Sequence, residues 1–243
     1  MNIIIGKTPT EMGELAAKAA AGLINKAIEQ KGDARIVVST GQSQFEFFES
    51  LLLQPIDWGK VEMFHLDEYI GIDENHPASF VKYLKERFTD KIPLKIAHFI
   101  YGDREAEKEI KRISELIAKS PVDAAFIGIG ENAHIAFNDP PADFETDKPY
   151  IIVELNDTCK AQQVREGWFK TNDDVPKVAI TMSPKQIMAA KAILSVVPHK
   201  VKAKAIADVV ASKTTDNMIP ATLLKTHPNW TLYLDEASAS LIK

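Results

Sequence analysis

The chain has 243 residues, of which 45% are hydrophobic and 26% are charged. This length and composition provide apolar material for one large core or two small ones, and they exclude a disordered or collagen-like protein. The 29 Lys and Arg residues are outnumbered by 34 Asp and Glu residues, which gives a formal net charge of −5. A general nucleic-acid binder needs a basic surface, so polyanions are poor candidate partners.

Three features of the sequence indicate the cellular compartment of the protein. Its apolar runs are all too short to cross a bilayer, so no membrane interaction is expected. The amino terminus shows no basic segment followed by a small-residue cleavage site, which argues against a secretory signal. The single cysteine, Cys159, cannot form a disulfide within the chain, as is typical of a reducing compartment. We therefore expect a cytoplasmic protein.

Strand-like and helix-like periodicities alternate along the chain. Residues 2–6 are predicted to form a strand, and Thr8 and Pro9 then start a helix that ends at Gly32. Further strands are predicted at 34–39, 61–66, 97–100, 124–129, 150–154, 178–182, 192–197 and 231–234. Helices are predicted at 44–53, 79–88, 104–118, 184–190, 199–210 and 220–224. This alternation predicts an α/β fold: a single doubly wound domain, residues 1–243, with a mostly parallel central sheet flanked by helices.

Ligands of open α/β sheets bind beyond the carboxyl ends of the strands, and polar residues follow three of the predicted strands. The first cluster is Thr40, Gly41, Gln42 and Ser43, between a strand and a helix. The backbone N–H groups of such a turn can hold a phosphate. An ordinary capped turn uses the same residue types, and on these residues alone it is the favoured interpretation.

The second cluster, residues 65–69, contains two adjacent carboxyl groups, Asp67 and Glu68. Ionised groups beyond a strand end need partners or water, so core packing explains them poorly. A carboxylate beside apolar walls can move a proton between neighbouring carbons when its pKa is suitably tuned. An N-cap Asp followed by an exposed Glu explains the pair equally well.

The third cluster, residues 128–140, contains Asn132, His134 and Asp139. A lone histidine in an apolar segment is more often structural than catalytic, but neighbouring carboxylates that orient its ring favour proton transfer. The other histidines are scattered without metal-ligand spacing, so no metal is predicted. The turn-rich segment 140–147 fits an active-site loop and an ordinary surface loop equally well.

In this order, the clusters resemble the glucosamine-6-phosphate deaminase/isomerase family, which shares its fold with the 6-phosphogluconolactonases. The resemblance covers nearly the whole chain and rests on residues 40–43, 66–71 continued by 76–79, 128–140, and 220–222 with 227–228. The Asp-Glu-Tyr-x-Gly segment followed by His-Pro-x-Ser favours the amino-sugar branch, because the lactonases typically carry Asp-Glu-Arg.

The resemblance implies an aldose–ketose isomerisation coupled to deamination, in which an amino-sugar 6-phosphate and water become a ketose 6-phosphate and ammonia, without a cofactor. It implies that Asp67 carries the proton from C2 to C1 and that His134 moves a proton to the ring oxygen during ring opening. Residues 40–43 then correspond to the phosphate loop, and Lys200 corresponds to the phosphate-binding lysine. Glucosamine 6-phosphate is the default substrate; the epimer and a homo-oligomeric state stay open.

Two departures from the family pattern affect the expected site. Asn132 stands where the family has an aspartate that supports the histidine, and an amide cannot stabilise an imidazolium by charge. Asp139, which replaces a family glutamate, or Glu131 is the candidate compensating carboxylate. Arg165 lies near the position of the family's phosphate-binding arginine but out of strict register.

Two other functions stay open at this stage. One is a sugar-lactone phosphate hydrolase of the 6-phosphogluconolactonase type, in which His134 acts as general base for water. The other is a phosphosugar-binding protein that has kept the pocket and lost catalytic power. All three interpretations share a small phosphosugar as the partner.

Overall fold

The computed structural model describes residues 1–242. Its strands are β1 (Asn2–Gly6), β2 (Ala34–Val38), β3 (Val61–His65), β4 (Asp67–Tyr69), β5 (Ile96–His98), β6 (Ala124–Ile127), β7 (Tyr150–Glu154), β8 (Val178–Met182), β9 (Ile193–Val197) and β10 (Trp230–Asp235). Its α-helices are α1 (Pro9–Lys31), α2 (Phe45–Leu52), α3 (Phe80–Arg87), α4 (Ala106–Ile117), α5 (Asp157–Arg165), α6 (Pro184–Met188) and α7 (Ala203–Ala211).

Seven strands form the central sheet in the order β1-β10-β9-β6-β2-β3-β5, and every neighbouring pair is parallel. Helices cover both faces, because alternate residues of a buried strand point to opposite sides. In β2, Val37 belongs to one core and Ile36 and Val38 belong to the other. The predicted α/β fold with a mostly parallel sheet is confirmed.

Helix α1 shows why the early elements follow from the sequence. The Thr8 side chain accepts a hydrogen bond from the Glu11 N–H, and Pro9 occupies the first helical position. The helix ends at Gly32, whose φ of 88° lies in the left-handed region that favours glycine. The predicted start and end of this helix are both confirmed.

A second sheet lies outside the prediction. It has three antiparallel strands in the order β4-β8-β7, and Asp67 of β4 pairs with Thr181 of β8. Strands 150–154 and 178–182 were predicted, but they pair here and not in the central sheet. The three residues of β4 are held by pairing with a segment more than 100 residues away. The local periodicity of the sequence cannot predict such a pairing.

Two helical predictions also change. The helix predicted at 199–210 begins at Ala203, because residues Lys200–Lys202 form a separate 3₁₀ turn. The helix predicted at 220–224 is a 3₁₀ segment over Pro220–Thr226. No helix among residues 1–242 is both long enough and apolar enough to cross a membrane.

Candidate active site

A small cavity that is open to solvent lies at the carboxyl edge of the central sheet. It lies where the loops after the neighbouring strands β2, β6 and β9 meet, and part of helix α5 covers it. The lining comprises residues 39–44, Leu66, Asp67, Phe80, residues 128–130, His134, Ala136, Phe137, Gln162, Gln163, Glu166 and Lys202. All three predicted clusters therefore contribute to one cavity. Segment 140–147 lies outside this lining, next to Asp139.

The loop at residues 40–43 forms one wall. Gly41 has φ 99° and ψ 168°, a conformation that side-chain-bearing residues rarely adopt. The following turn, Gln42–Gln44, starts a helical segment, so its leading N–H groups have no partner within the helix. The Gln42 side chain donates to the Glu166 carbonyl over 2.8 Å, which links the loop to the end of α5. Such a turn can accept an anion.

Asp67 lines the cavity and is 5% exposed. Among residues 1–242, no hydrogen bond or ion pair engages its carboxyl group. Burial, together with the neighbouring Glu68 charge, raises the pKa of Asp67 well above its usual value. A carboxyl group with these properties is suited to accept and return a proton.

The Glu68 side chain points to the side of β4 opposite to that of Asp67, because successive residues of a strand alternate. Its carboxylate accepts hydrogen bonds from the Ser79 hydroxyl and the Val81 N–H, both at 2.9 Å, at the first turn of α3. Burial raises its pKa to about 7 although these bonds favour the charged form. The alternative of an exposed Glu after an N-cap Asp is wrong, because Glu68 is 1% exposed and is itself the anion at a helix start.

His134 is held by two side chains from its own loop. Its Nδ1 lies 2.6 Å from Asn132 Oδ1 and 3.1 Å from Asp139 Oδ1, and the Asn132 amide donates to the same Asp139 oxygen over 2.9 Å. These acceptors place the proton on Nδ1 and leave Nε2 free for proton transfer. Gly130 makes room for the ring, since a Cβ there would lie 2.1 Å from the His134 imidazole.

Asp139 is the carboxylate that supports His134. Burial alone would raise its pKa, but hydrogen bonds from His134 and Asn132, with the charge of His134, hold the pKa below the usual value. Glu131 instead pairs with Arg165. Of the two compensating carboxylates that the sequence left open, the structure brings Asp139 to the histidine.

The lysine at the cavity is Lys202 and not Lys200. Lys202 is 4% exposed and lines the cavity, whereas Lys200 is exposed and lies outside the lining. The reason is the left-handed His199, φ 79°, which starts the 3₁₀ turn. Residues two apart in such a turn point in different directions. Burial lowers the pKa of Lys202, and its ammonium has no hydrogen bond or ion pair within residues 1–242.

Arg165 is exposed, pairs with Glu131 and lies outside the cavity lining. Instead α5 brings Gln162, Gln163 and Glu166 to the wall. The Glu166 carboxylate accepts hydrogen bonds from Gln162 Nε2 at 2.7 Å and from the Trp168 indole at 3.1 Å. These residues were missed because α5 was not predicted; the available signal was Asn156, whose side chain caps the helix by accepting from the Cys159 N–H.

The fold and the cavity define a class of protein. An unpaired carboxyl group, a histidine supported by a carboxylate and a buried lysine face a small cavity beside an anion-binding turn, which is an arrangement for acid–base chemistry on a small anionic ligand. Within residues 1–242, no group of three or more His, Cys, Asp or Glu side chains is arranged to hold a metal ion.

Comparisons with known proteins agree with this class. The family model for glucosamine-6-phosphate isomerases/6-phosphogluconolactonase matches residues 7–233. The glucosamine-6-phosphate deaminase of Lactobacillus delbrueckii subsp. bulgaricus is 33% identical over 244 residues, covering 100% of both chains. That of Exiguobacterium sp. is 34% identical over 241 residues, covering 99% of this chain and 91% of the relative.

Solved structures give the same result. A monomeric glucosamine-6-phosphate deaminase superposes with a TM-score of 0.90 at 28% identity, covering 99% of this chain and 100% of the other. The 6-phosphogluconolactonase of Trypanosoma brucei shares the fold, with a TM-score of 0.77 at 16% identity and coverage of 100% and 98%. The chain belongs to the glucosamine-6-phosphate isomerase/6-phosphogluconolactonase family.

Proposed function

We propose that this protein is a glucosamine-6-phosphate deaminase, which converts an amino-sugar 6-phosphate and water into a ketose 6-phosphate and ammonia. The observation that carries the proposal is the presence of Asp67 and His134 in one cavity beside the turn at residues 40–43. Relatives of that name match the whole chain at 33% identity. The proposed location is the cytoplasm, on the basis of the single cysteine in the chain.

The proposed site has an anion end and a proton-transfer end. Backbone N–H groups of residues 40–43 and the Lys202 ammonium hold the phosphate, because a compact cation and free N–H groups both suit phosphate oxygens. Lys202 replaces Lys200 in this role because Lys202 lines the cavity. Arg165, held at Glu131, is left out of the proposed binding set.

Ring opening requires a proton on the ring oxygen and loss of the proton from the C1 hydroxyl. His134 Nε2 is the group proposed to move this proton, since Nδ1 is already engaged by Asn132 and Asp139. Asp139 stabilises the transient imidazolium by charge. The Asn132 amide fixes the direction of the ring and of Asp139 together.

Isomerisation follows on the open chain. Asp67 takes the proton from C2 and returns it to C1, while one proton of the C2 ammonium passes to the C1 oxygen, so the aldehyde becomes a hydroxymethyl group and the C2 amine becomes an iminium. Water then adds to C2 and ammonia leaves. The raised pKa of Asp67 strengthens it as a base once it is ionised. The ammonium group of the substrate supplies the positive charge that favours this ionised form.

A substrate panel tests the proposal. Ammonia release is measured with glucosamine 6-phosphate, galactosamine 6-phosphate and mannosamine 6-phosphate, with Asp67→Asn as the inactive control. Release from at least one sugar supports the proposal, and silence across the panel overturns it. Hydrolysis of 6-phosphogluconolactone in place of ammonia release would instead identify a lactonase. Binding of these sugars without turnover would identify a phosphosugar-binding protein.

A further inference from the structure

Helix α3 contacts both ends of the proposed site. Its first turn is bound by Glu68, the neighbour of Asp67. Less than one turn further along, the Tyr83 hydroxyl donates a hydrogen bond of 2.8 Å to the Gly41 carbonyl. The helix therefore connects the strand that carries the proposed base with the loop that is proposed to hold phosphate.

The Gly41 carbonyl accepts two hydrogen bonds, one from Tyr83 and one from the Gln44 N–H at 3.1 Å. The carbonyl and N–H of a trans peptide point in opposite directions, so the N–H of Gln42 points away from α3. At its φ of 99°, glycine tolerates a wide range of ψ angles. The peptide between Gly41 and Gln42 is therefore free to rotate unless hydrogen bonds restrain it. The hydrogen bond from Tyr83 therefore helps the one from Gln44 to fix the direction of this peptide and of its Gln42 N–H.

The Tyr83 ring is held independently of its hydroxyl. The residue is 4% exposed. Its ring stacks on Phe45, with centroids 5.9 Å apart, and meets the edge of Trp168 at 6.1 Å. A phenylalanine at this position keeps these contacts, so Tyr83→Phe removes the hydroxyl and leaves the packing in place.

We infer that Tyr83 is a positioning residue, which preorganises the loop at residues 40–43 for the phosphate group of the substrate. The identity of the ligand rests on the proposed function, whereas the role of Tyr83 rests on its bond to Gly41. A preordered loop pays less entropy on binding, so Tyr83 acts on affinity. It does not touch the groups that transfer protons.

Affinity for inorganic phosphate tests the inference directly. Tyr150→Phe is a matched control, because the buried Tyr150 hydroxyl donates to the His65 carbonyl over 2.9 Å and Tyr150 does not line the cavity. Both variants lose one phenol-to-carbonyl bond, and thermal unfolding verifies that both are folded. Calorimetry is expected to show phosphate binding weakened about five- to tenfold in Tyr83→Phe, on the scale of one lost hydrogen bond, and changed less than about twofold in Tyr150→Phe.

Equal phosphate affinity in Tyr83→Phe and the unmodified protein overturns the inference, as does an equal loss in both variants. Absence of phosphate binding by the unmodified protein overturns it too, because the loop then holds no anion.

Ammonia release from glucosamine 6-phosphate gives a second readout. Tyr83→Phe is expected to raise KM about five- to tenfold and to leave kcat unchanged. A fall in kcat at constant KM contradicts the positioning role. If the unmodified protein releases no ammonia, the proposed function fails, and the phosphate titration alone still decides the role of Tyr83.

Discussion

Both edges of the central sheet carry buried charged side chains. Those at the amino edge are paired with one another, whereas two of those at the carboxyl edge are unpaired among the residues that the structure describes. At the amino edge, Arg35 donates to Glu62 over 2.8 Å and to the last carbonyls of α4, and Asp123 accepts from Lys31 and Lys191, both at 2.9 Å. At the carboxyl edge, neither Asp67 nor Lys202 has such a partner within residues 1–242. Charges that bind one another hold elements together, whereas charges left unpaired in a cavity remain available to a ligand.

The largest test of this contrast is Asp67→Asn. Loss of the proposed base is expected to lower ammonia release about 10³-fold, within the usual range for general acid–base catalysis. The protein should not lose stability, because no described hydrogen bond or ion pair is broken. Turnover and urea unfolding of the same samples measure both effects. Retained turnover would show that Asp67 is not the base.

The same variant has a pH signature. A raised pKa in the folded state means that the folded protein holds this proton more tightly than the unfolded chain does. The free energy of unfolding should therefore fall as pH rises above about 4, the usual aspartate value, towards the raised value. Asp67→Asn should lack this part of the pH dependence and should be the more stable protein at neutral pH. Identical stability profiles would contradict the shift.

At the amino edge, Arg35→Met is expected to have the opposite effects. It leaves Glu62 and two carbonyls of α4 without their donor, which should lower the free energy of unfolding by about 3 kcal/mol. Turnover per folded molecule should change less than about twofold, since Arg35 does not line the cavity. Chemical denaturation and specific activity measure the two outcomes. A loss of turnover in fully folded protein would contradict the view that the charges at the amino edge serve stability alone.

Lys202→Met and Lys200→Met form a matched pair two residues apart. Loss of the buried ammonium should raise KM about 10- to 100-fold, because hydrogen bonds to charged groups are worth about 1.5–3 kcal/mol. It should also stabilise the unliganded protein, since an unpaired charge no longer has to be buried. Lys200→Met should change neither quantity. The reverse result would restore Lys200 as the phosphate-binding lysine.

The smallest expected effect belongs to Asn132→Asp, about tenfold lower turnover. The Asn132 amide donates to Asp139 and accepts from the His134 ring. An aspartate keeps the acceptor, loses the donor and sets a second carboxylate against Asp139, which disturbs the orientation of His134. The kcat profile against pH measures this change. Faster turnover would mean that the amide is an impaired support for the histidine.

Local sequence signals were sufficient for the elements that depend on neighbours along the chain. Thr8 and Gly32 define the ends of α1, and Ala34–Val38, apolar except for Arg35, defines a buried central strand. These features follow from capping and burial, which act over a few residues. Asp67 and His134 were likewise recognisable, because polar groups after apolar strands meet at one edge of a parallel sheet.

Features that depend on distant partners were not predictable in this way. β4 exists because it pairs with β8, and α5 has few apolar residues, since its buried Gln162 and Gln163 face a polar cavity. Whether Lys200 or Lys202 reaches the cavity depends on the left-handed backbone of His199. The residue type of His199 does not predict this conformation.

The strand order has a consequence for synthesis of the chain. Among the strands that the structure describes, β1 is made first, yet its only neighbour in the central sheet is β10, the last of them. While the chain emerges from the ribosome, β2, β3, β5 and β6 can pair among themselves, but β1 waits for about 230 residues to be added. Loop closure over such a span is slow compared with local pairing. β1 therefore lacks its partner strand until β10 has been made, and β10 then completes the pairing.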